Sequence, residues 1–188
     1  MIVLITGGAR SGKSRFAEQY AAHLGTGGLY VATAEALDDE MRERISAHKK
    51  QRQLSGFAWE TVEAPLDLSA VLQSSRHPVI LVDCLTLWLS NWLLRCGYEE
   101  NPEALVQSRI EELVRTLVSH TGHILLVSNE VGSGVVPEYP LGRLYRDLAG
   151  MMNQQIAAVS DQVFLVTAGI PVELKSLAFR FPDKPGKG

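Results

Sequence analysis

The segment Gly7-Gly8-Ala9-Arg10-Ser11-Gly12-Lys13-Ser14 follows directly on the apolar run Met1-Ile2-Val3-Leu4-Ile5. It satisfies the pattern G-x-x-x-x-G-K-S, whose glycines let backbone N–H groups turn inward around a phosphate. The following residues, 13–24, carry a helical pattern, and the positive end of that helix adds to the pull on an anion. A strand, a phosphate-binding loop and a helix in immediate succession open a parallel α/β sheet and leave few other folds available. Lys13 is placed to reach the β- and γ-phosphates of a nucleotide, and Ser14 to bind Mg²⁺. Arg10 either touches phosphate or substrate or stays in solvent.

The rest of the chain repeats that alternation. Strands are expected at Ile2–Thr6, Leu29–Thr33, Val79–Asp83, Ile124–Ser128 and Val163–Thr167, with a weaker one at Trp59–Glu63. They are rich in Val, Ile and Leu without strict alternation, as in strands buried on both faces. Helical patterns fall near 13–24, 36–53, 67–75, 85–96, 103–120 and 141–159. Such repetition implies a mostly parallel sheet covered by helices on both faces. Asn101-Pro102 reads as a break between two helices. Residues 1–177 form one expected domain, and 178–188, with its prolines, glycines and basic residues, is expected to be loosely ordered.

Composition narrows the function classes. The chain has 188 residues, 46% of them apolar and 21% charged, as in an ordinary soluble protein of one domain. A net charge of −3 argues against a nucleic-acid partner, which needs a basic surface. No apolar run reaches the roughly 18 residues needed to span a bilayer, so no stable membrane insertion is expected. There is no basic and apolar leader pattern at Met1, and Cys84 and Cys96 are not in metal-ligand spacing. A cytoplasmic protein with reduced thiols is the expectation.

A phosphate-binding loop needs an acidic partner for its metal. Val79-Ile80-Leu81-Val82-Asp83 is an apolar strand ending in a carboxylate, the Walker-B arrangement; alternatively, Asp83 caps the helix that starts at Leu85. Glu130, in Ser128-Asn129-Glu130-Val131-Gly132, also follows an apolar strand, and either acid suits metal binding or proton acceptance. The Asn-Lys-x-Asp segment that guanine-nucleotide switches usually carry is missing. Size favours a small-molecule kinase, while a nucleotide-sensing module and a nucleic-acid motor remain as alternatives.

Residues 37–52, LDDEMRERISAHKKQR, form the second informative stretch. Acids crowd its start and bases its end, matching a helix dipole. Leu37, Met41, Ile45 and His48 share one face. His48 is then either a half-buried histidine at a helix end or a nucleophile. A neutral imidazole attacks an α-phosphorus to form a phosphoramidate, and neighbouring Lys and Arg stabilise the departing pyrophosphate.

The chain resembles the bifunctional adenosylcobinamide kinase / adenosylcobinamide-phosphate guanylyltransferase family of cobalamin biosynthesis. The resemblance runs from Ile2 to about Leu174. It rests on ITGGARSGKSRFAE at 5–18, YVATAEALDDEMRERISAHKKQR at 30–52, WETVEAP at 59–65, LVDCLTLWLSN at 81–91, LVSNEVGSGVVPE at 126–138 and LGRLYRDLAGMMNQQIA at 141–157.

That resemblance implies two reactions. ATP or GTP phosphorylates the aminopropanol hydroxyl of adenosylcobinamide, and GMP from GTP is then transferred to that phosphate. It implies that His48, in the segment RI-x-x-H-K, carries the guanylyl group, with Ala47 beside it leaving no rival histidine. It implies nucleotide contacts from Gly7 to Ser14, from Ala32, Thr33 and Ala34, from Lys49, Lys50, Gln51 and Arg52, and from Glu63 and Asp83. A carboxylate such as Glu63 suits guanine, since it accepts from N1–H and N2–H₂ together. The resemblance further implies a P-loop three-layer sandwich with one antiparallel edge strand, and a homotrimer. Asp83 departs from the family pattern in standing where a Glu can occur. Trp88 and Trp92, one helical turn apart, read as core or subunit-interface residues before corrinoid contacts. His23, His77, His120 and His123 have no motif around them and read as surface or strand-edge residues.

Overall fold

A computed structural model describes residues 1–35 and 56–180. The expected helix at 36–53, with His48, Lys49, Lys50, Gln51 and Arg52, lies outside the described residues, as does the end of the tail at 181–188.

In chain order the elements are β1 (Ile2–Gly7), α1 (Lys13–Leu24), β2 (Gly27–Ala32), β3 (Ala58–Glu63), α2 (Leu68–Ser74), β4 (Val79–Asp83), α3 (Leu85–Cys96), α4 (Pro102–Ser119), β5 (His123–Asn129), α5 (Pro140–Val159), β6 (Gln162–Thr167), β7 (Ile170–Glu173) and α6 (Leu174–Leu177). The sheet runs β3-β2-β4-β5-β1-β6-β7. All neighbours are parallel except β6 and β7. This is the three-layer α/β architecture expected, antiparallel edge included.

Strand periodicity divides the core in two. Val3, Ile5, Tyr30, Val79, Leu81, Leu125 and Val127 pack toward α1 with Ala17 and Ala21. Ile2, Leu4, Leu29, Val31, Ile80, Val82 and Leu126 pack the other way, against α2, α3, α4 and α5. β1, β4 and β5 are therefore apolar on both sides, which is why their sequences show no alternation. Trp88 sits in the larger core, 1% exposed, its indole N–H donating to the Leu66 carbonyl at 2.9 Å. Trp92 is half-buried, bonds the same carbonyl at 3.2 Å and lies under the Arg109 guanidinium. Both tryptophans thus serve packing, and truncating the fully buried one to alanine costs about 3–5 kcal/mol.

Several boundaries differ from the sequence reading. β2 begins at Gly27 and ends at Ala32, so Thr33 lies just past the strand. The weak segment at 59–63 is a true edge strand, β3, paired along its length with β2. The run at Ile170 is a strand that residue patterns alone did not flag. It is four residues long and exposed, too short for periodicity to register. The Asn101 side chain accepts the Ala104 N–H at 3.1 Å and starts α4 before Pro102, as the break there suggested. Cys84 and Cys96 are both buried and free.

Candidate functional site

Parallel register brings the candidate residues to one edge. Gly7 pairs with Asn129, Asp83 with Val127, and Ala32 with both Asp83 and Glu63. The Glu130 N–H donates to the Gly7 carbonyl at 3.1 Å, and the Ala64 N–H to the Ala32 carbonyl at 2.8 Å. The ends of β1, β5, β4, β2 and β3 thus form a continuous carboxyl edge, where ligands bind in open α/β sheets.

The loop on that edge is built as its sequence suggested. Gly8, Ala9 and Arg10 are exposed, and Ser14 is half-buried. Gly12 caps α1, and the Phe16 N–H closes the first helical turn on its carbonyl at 3.0 Å. No acid stands in the first turn of α1, so its positive end is uncompensated there. Lys13 is 9% exposed, and its ammonium donates to the Gly8 carbonyl at 3.1 Å, across the mouth of the loop. Arg10 holds φ +57° in solvent. The hairpin between β6 and β7 supports the loop from below, the Gly169 N–H donating to the Ser11 carbonyl at 2.9 Å. The Ser11 hydroxyl is buried there without a hydrogen-bond partner. A side chain on Gly7 would place its Cβ 2.4 Å from the Val166 carbonyl oxygen, so only glycine lets β1 pass that close.

Asp83 is not a helix cap. The capping position of α3 is Cys84, with no side-chain cap bond. Alternation instead puts Asp83 on the α1 face, with Val79 and Leu81. There Tyr30, on the neighbouring strand, donates its phenol to Asp83 Oδ2 at 3.0 Å. Tyr30 is 4% exposed and packs edge-on against Trp59 at 5.8 Å, so the donor is fixed. The buried Cys84 thiol senses the same neighbourhood. Burial and then the Asp83 charge push it up, while its hydrogen bonds to Thr86 and Leu87 and the Lys13 charge oppose them.

Thr33 is fully buried, and its hydroxyl is committed twice. It donates to the Cys84 carbonyl at 2.6 Å and accepts the Cys84 N–H at 2.8 Å, and its own N–H donates to the Asp83 carbonyl at 3.3 Å. The Asn91 amide donates to the carbonyls of Thr33 and Pro65. These bonds lock the ends of β2 and β4 together. In this arrangement Thr33 positions Asp83, and its hydroxyl is spoken for. Ala34 is half-buried just beyond it, and Glu63 is exposed at the edge.

Glu130 is exposed, and its Oε1 accepts the Gly132 N–H at 3.1 Å. Behind it, Asn129 donates to Thr86 Oγ1 at 2.7 Å, Ser128 to Asn153 Oδ1 at 2.6 Å, and Asn153 to the Asn129 carbonyl at 3.3 Å. Tyr145 donates to the Thr86 carbonyl at 3.3 Å, and burial pushes its phenol up to about 12, keeping it a neutral donor. A separate cleft of about 520 Å³ is lined by Leu29, Val62, Val71 and His77. It opens where β4 begins, at the far end of the sheet from Gly7.

The model of one protein family, cobinamide kinase / cobinamide phosphate guanyltransferase, matches residues 3–174. The chain belongs to that family. It is 48% identical over 174 residues to the bifunctional adenosylcobalamin biosynthesis protein CobP of Pseudomonas aeruginosa, covering 92% of this chain and 96% of that protein. It is 40% identical over 187 residues to the bifunctional adenosylcobalamin biosynthesis protein CobU of Escherichia coli K12, covering 93% of this chain and all of that protein. The CobU of Salmonella typhimurium is 41% identical over the same length.

The hydrogen bonds of the edge involve residues that sequence reasoning passed over. Tyr30 holds Asp83, and Thr86, Asn91 and Asn153 hold the strand ends of the edge in place. Their only sequence signal is a polar group within or beside an apolar segment. Of the histidines without a motif, His23 is exposed, and His77 pairs with Glu60 at 3.1 Å. Neither stands at the carboxyl edge.

Proposed function

We propose that this protein is a bifunctional enzyme that phosphorylates adenosylcobinamide with ATP or GTP and then transfers GMP from GTP onto the phosphate. The observation that carries the reading is the family match across residues 3–174, on a chain whose phosphate loop and strand-end acid stand on one edge.

In the first reaction the Gly8–Ser14 loop holds the β- and γ-phosphates on its backbone N–H groups, and Lys13 turns its ammonium from the Gly8 carbonyl toward them. The acceptor hydroxyl attacks the γ-phosphorus, the bond to the bridging oxygen breaks, and the hydroxyl proton passes to an acid at the edge. Glu130, exposed beside Gly7, is the candidate for that proton. The Ser14 hydroxyl and Asp83 carboxylate are hard oxygen donors that fit Mg²⁺, which when bound neutralises phosphate charge.

In the second reaction His48 attacks the α-phosphorus of GTP, forming a P–N bond and expelling pyrophosphate. An oxygen of adenosylcobinamide phosphate then attacks the same phosphorus and releases the imidazole. Lys49, Lys50 and Arg52 stabilise the departing charge, Gln51, Ala32, Thr33 and Ala34 border the nucleotide, and Glu63 selects guanine. Residues 1–177 act as a single domain. The assembly is a homotrimer, supported by the apolar side chains exposed along the β7–α6 edge, Ile170, Leu177 and Phe179. No described helix is long and apolar enough to cross a membrane. The enzyme works in the cytoplasm, beside its nucleotide supply.

Incubation with adenosylcobinamide, Mg²⁺ and either ATP or GTP tests the reading. Adenosylcobinamide phosphate is expected with each nucleotide, and adenosylcobinamide-GDP with GTP. Nucleotide binding without phosphorylation of this acceptor would leave a sensor or a kinase for another alcohol.

A further inference from the structure

The segment between β5 and α5 shows its apolar side chains to solvent. Val135 is 95% exposed, Val136 60% and Tyr139 74%, with Leu141 43% exposed just inside the helix. Isolated exposed apolar residues need no explanation, but a run of them on one short loop does.

The loop is braced from behind. The Arg143 guanidinium donates to the carbonyls of Pro137 and Glu138, and the Arg146 guanidinium donates to the Gly132 carbonyl at 2.7 Å. Gly142 lies against Pro137 so closely that a Cβ there would come within 2.8 Å of the proline Cβ. Three backbone carbonyls of the loop are thus turned inward onto α5, Val131 packs against the core, and Val135, Val136 and Tyr139 are left facing outward. A loop held in that way is prepared for contact before any ligand arrives.

Its position gives the contact a purpose. The loop starts at Glu130, whose N–H is bonded to Gly7 of the phosphate loop. Phosphoryl transfer requires the acceptor hydroxyl about 3–3.5 Å from the γ-phosphorus. The body of a large acceptor must then lie on the rim beside that phosphate, and residues 131–141 are the rim on the β5 side. The other exposed apolar cluster of the edge strands, at β7 and α6, stands on the far side of β6 and at the sheet margin.

Resting on the proposed reaction, we infer that Val135, Val136 and Tyr139 form the platform on which the apolar face of the macrocyclic acceptor docks. The loop therefore governs acceptor affinity and leaves nucleotide affinity alone. Tyr139 supplies a rigid aromatic contact, and the valines lie along the macrocycle edge.

The test compares the wild-type protein with the double variant Val135→Ser/Val136→Ser and the single variant Tyr139→Ala. Cobinamide binding is measured by equilibrium dialysis, using its own visible absorbance. Binding of a fluorescent GTP analogue and the sedimentation coefficient are measured on the same samples. The double variant is expected to bind cobinamide about tenfold more weakly or worse, the loss that follows from removing the apolar area that two valines would bury on binding. GTP-analogue affinity and sedimentation should be unchanged. Cobinamide affinity equal to wild type in both variants overturns the inference. So does a fall in sedimentation coefficient, which would make the loop an interface between copies of this chain. Failure of the wild-type protein itself to bind cobinamide would instead sink the proposed reaction.

Discussion

The phosphate loop and the loop after β5 are joined by a hydrogen bond between Gly7 and Glu130, yet they are made in opposite ways. Around Gly7–Ser14 the reactive surface is largely backbone: glycines, N–H groups and a helix end, with the Ser11 hydroxyl turned under and the Lys13 ammonium held at the mouth. Around 131–141 backbone carbonyls are tied down onto α5, and Val135, Val136 and Tyr139 face out. A phosphate is the same on every nucleotide, so a fixed backbone cradle suffices to hold it. An acceptor is recognised by its shape and apolar area, which only side chains supply. The contrast assigns the common half of the chemistry to the motif and the specific half to the rim.

Four perturbations break or sharpen that contrast. The largest effect belongs to the cradle's buried ammonium, Lys13. Lys13→Ala should lower phosphoryl transfer by about 10²–10³-fold, the scale for losing one charge-stabilising donor. Cobinamide affinity, measured by dialysis, should not move. A parallel loss of cobinamide binding would show that the two halves are not separate.

Gly7→Ala comes next, because its Cβ would collide with the Val166 carbonyl. A fall in stability of about 2–4 kcal/mol is expected, read from denaturant midpoints. Loss of nucleotide binding should accompany it, since β1 or the β6–β7 hairpin must shift. A Gly7→Ala protein with unchanged stability and nucleotide affinity would contradict the described packing.

Tyr30→Phe removes the hydroxyl that holds Asp83 Oδ2 and little else. A stability loss of about 1.5–3 kcal/mol is expected for a bond to a charged group. The diagnostic is the Mg²⁺ dependence of binding of a fluorescent ATP analogue, which should shift to higher Mg²⁺. Binding measured in chelator should stay the same. A stability change with no shift in Mg²⁺ dependence would reduce Tyr30 to a packing role.

The smallest effect lies far from both loops. Glu173 accepts the N–H groups of Val163, Lys175 and Ser176, and these bonds hold its carboxyl below the usual 4.5. A carboxylate with a depressed folded-state value stabilises above its unfolded value and loses that contribution as the pH falls through the folded one. Glu173→Gln should therefore lower Tm slightly at pH 7, and the difference from wild type should vanish once the pH has fallen below the depressed folded-state value, where both side chains are neutral. A difference that persists in acid would mean that the charge is not what matters there.

Much of this was readable from residues alone. The strands of the sheet centre announce themselves by apolar runs, because burial on both faces leaves no choice of residue type. The phosphate loop is equally plain, since its glycines and Lys13 are local requirements. What escaped depends on register and on residues distant in sequence. That Tyr30 meets Asp83 follows only once β2 is laid beside β4, 53 residues on. Nothing local shows that the Thr33 hydroxyl is committed to Cys84, 51 residues on. Asp83 suits a helix cap as well as a metal until the pleat puts it on the α1 face. β7 is exposed and four residues long, so its pairing with β6, and the turn at Gly169 that reaches Ser11, leave no periodic trace.

The central claim is that two chemistries share this edge, the second running through His48. The direct measurement is incubation of the pure protein with Mg²⁺ and GTP labelled at the α-phosphate, in the absence of any corrinoid, followed by peptide mapping. The account predicts acid-labile, base-stable label on the peptide containing His48, with release of pyrophosphate, and no label on the His48→Asn variant. Labelling of His48→Asn equal to wild type, or no label on a wild-type protein that binds GTP, would contradict it.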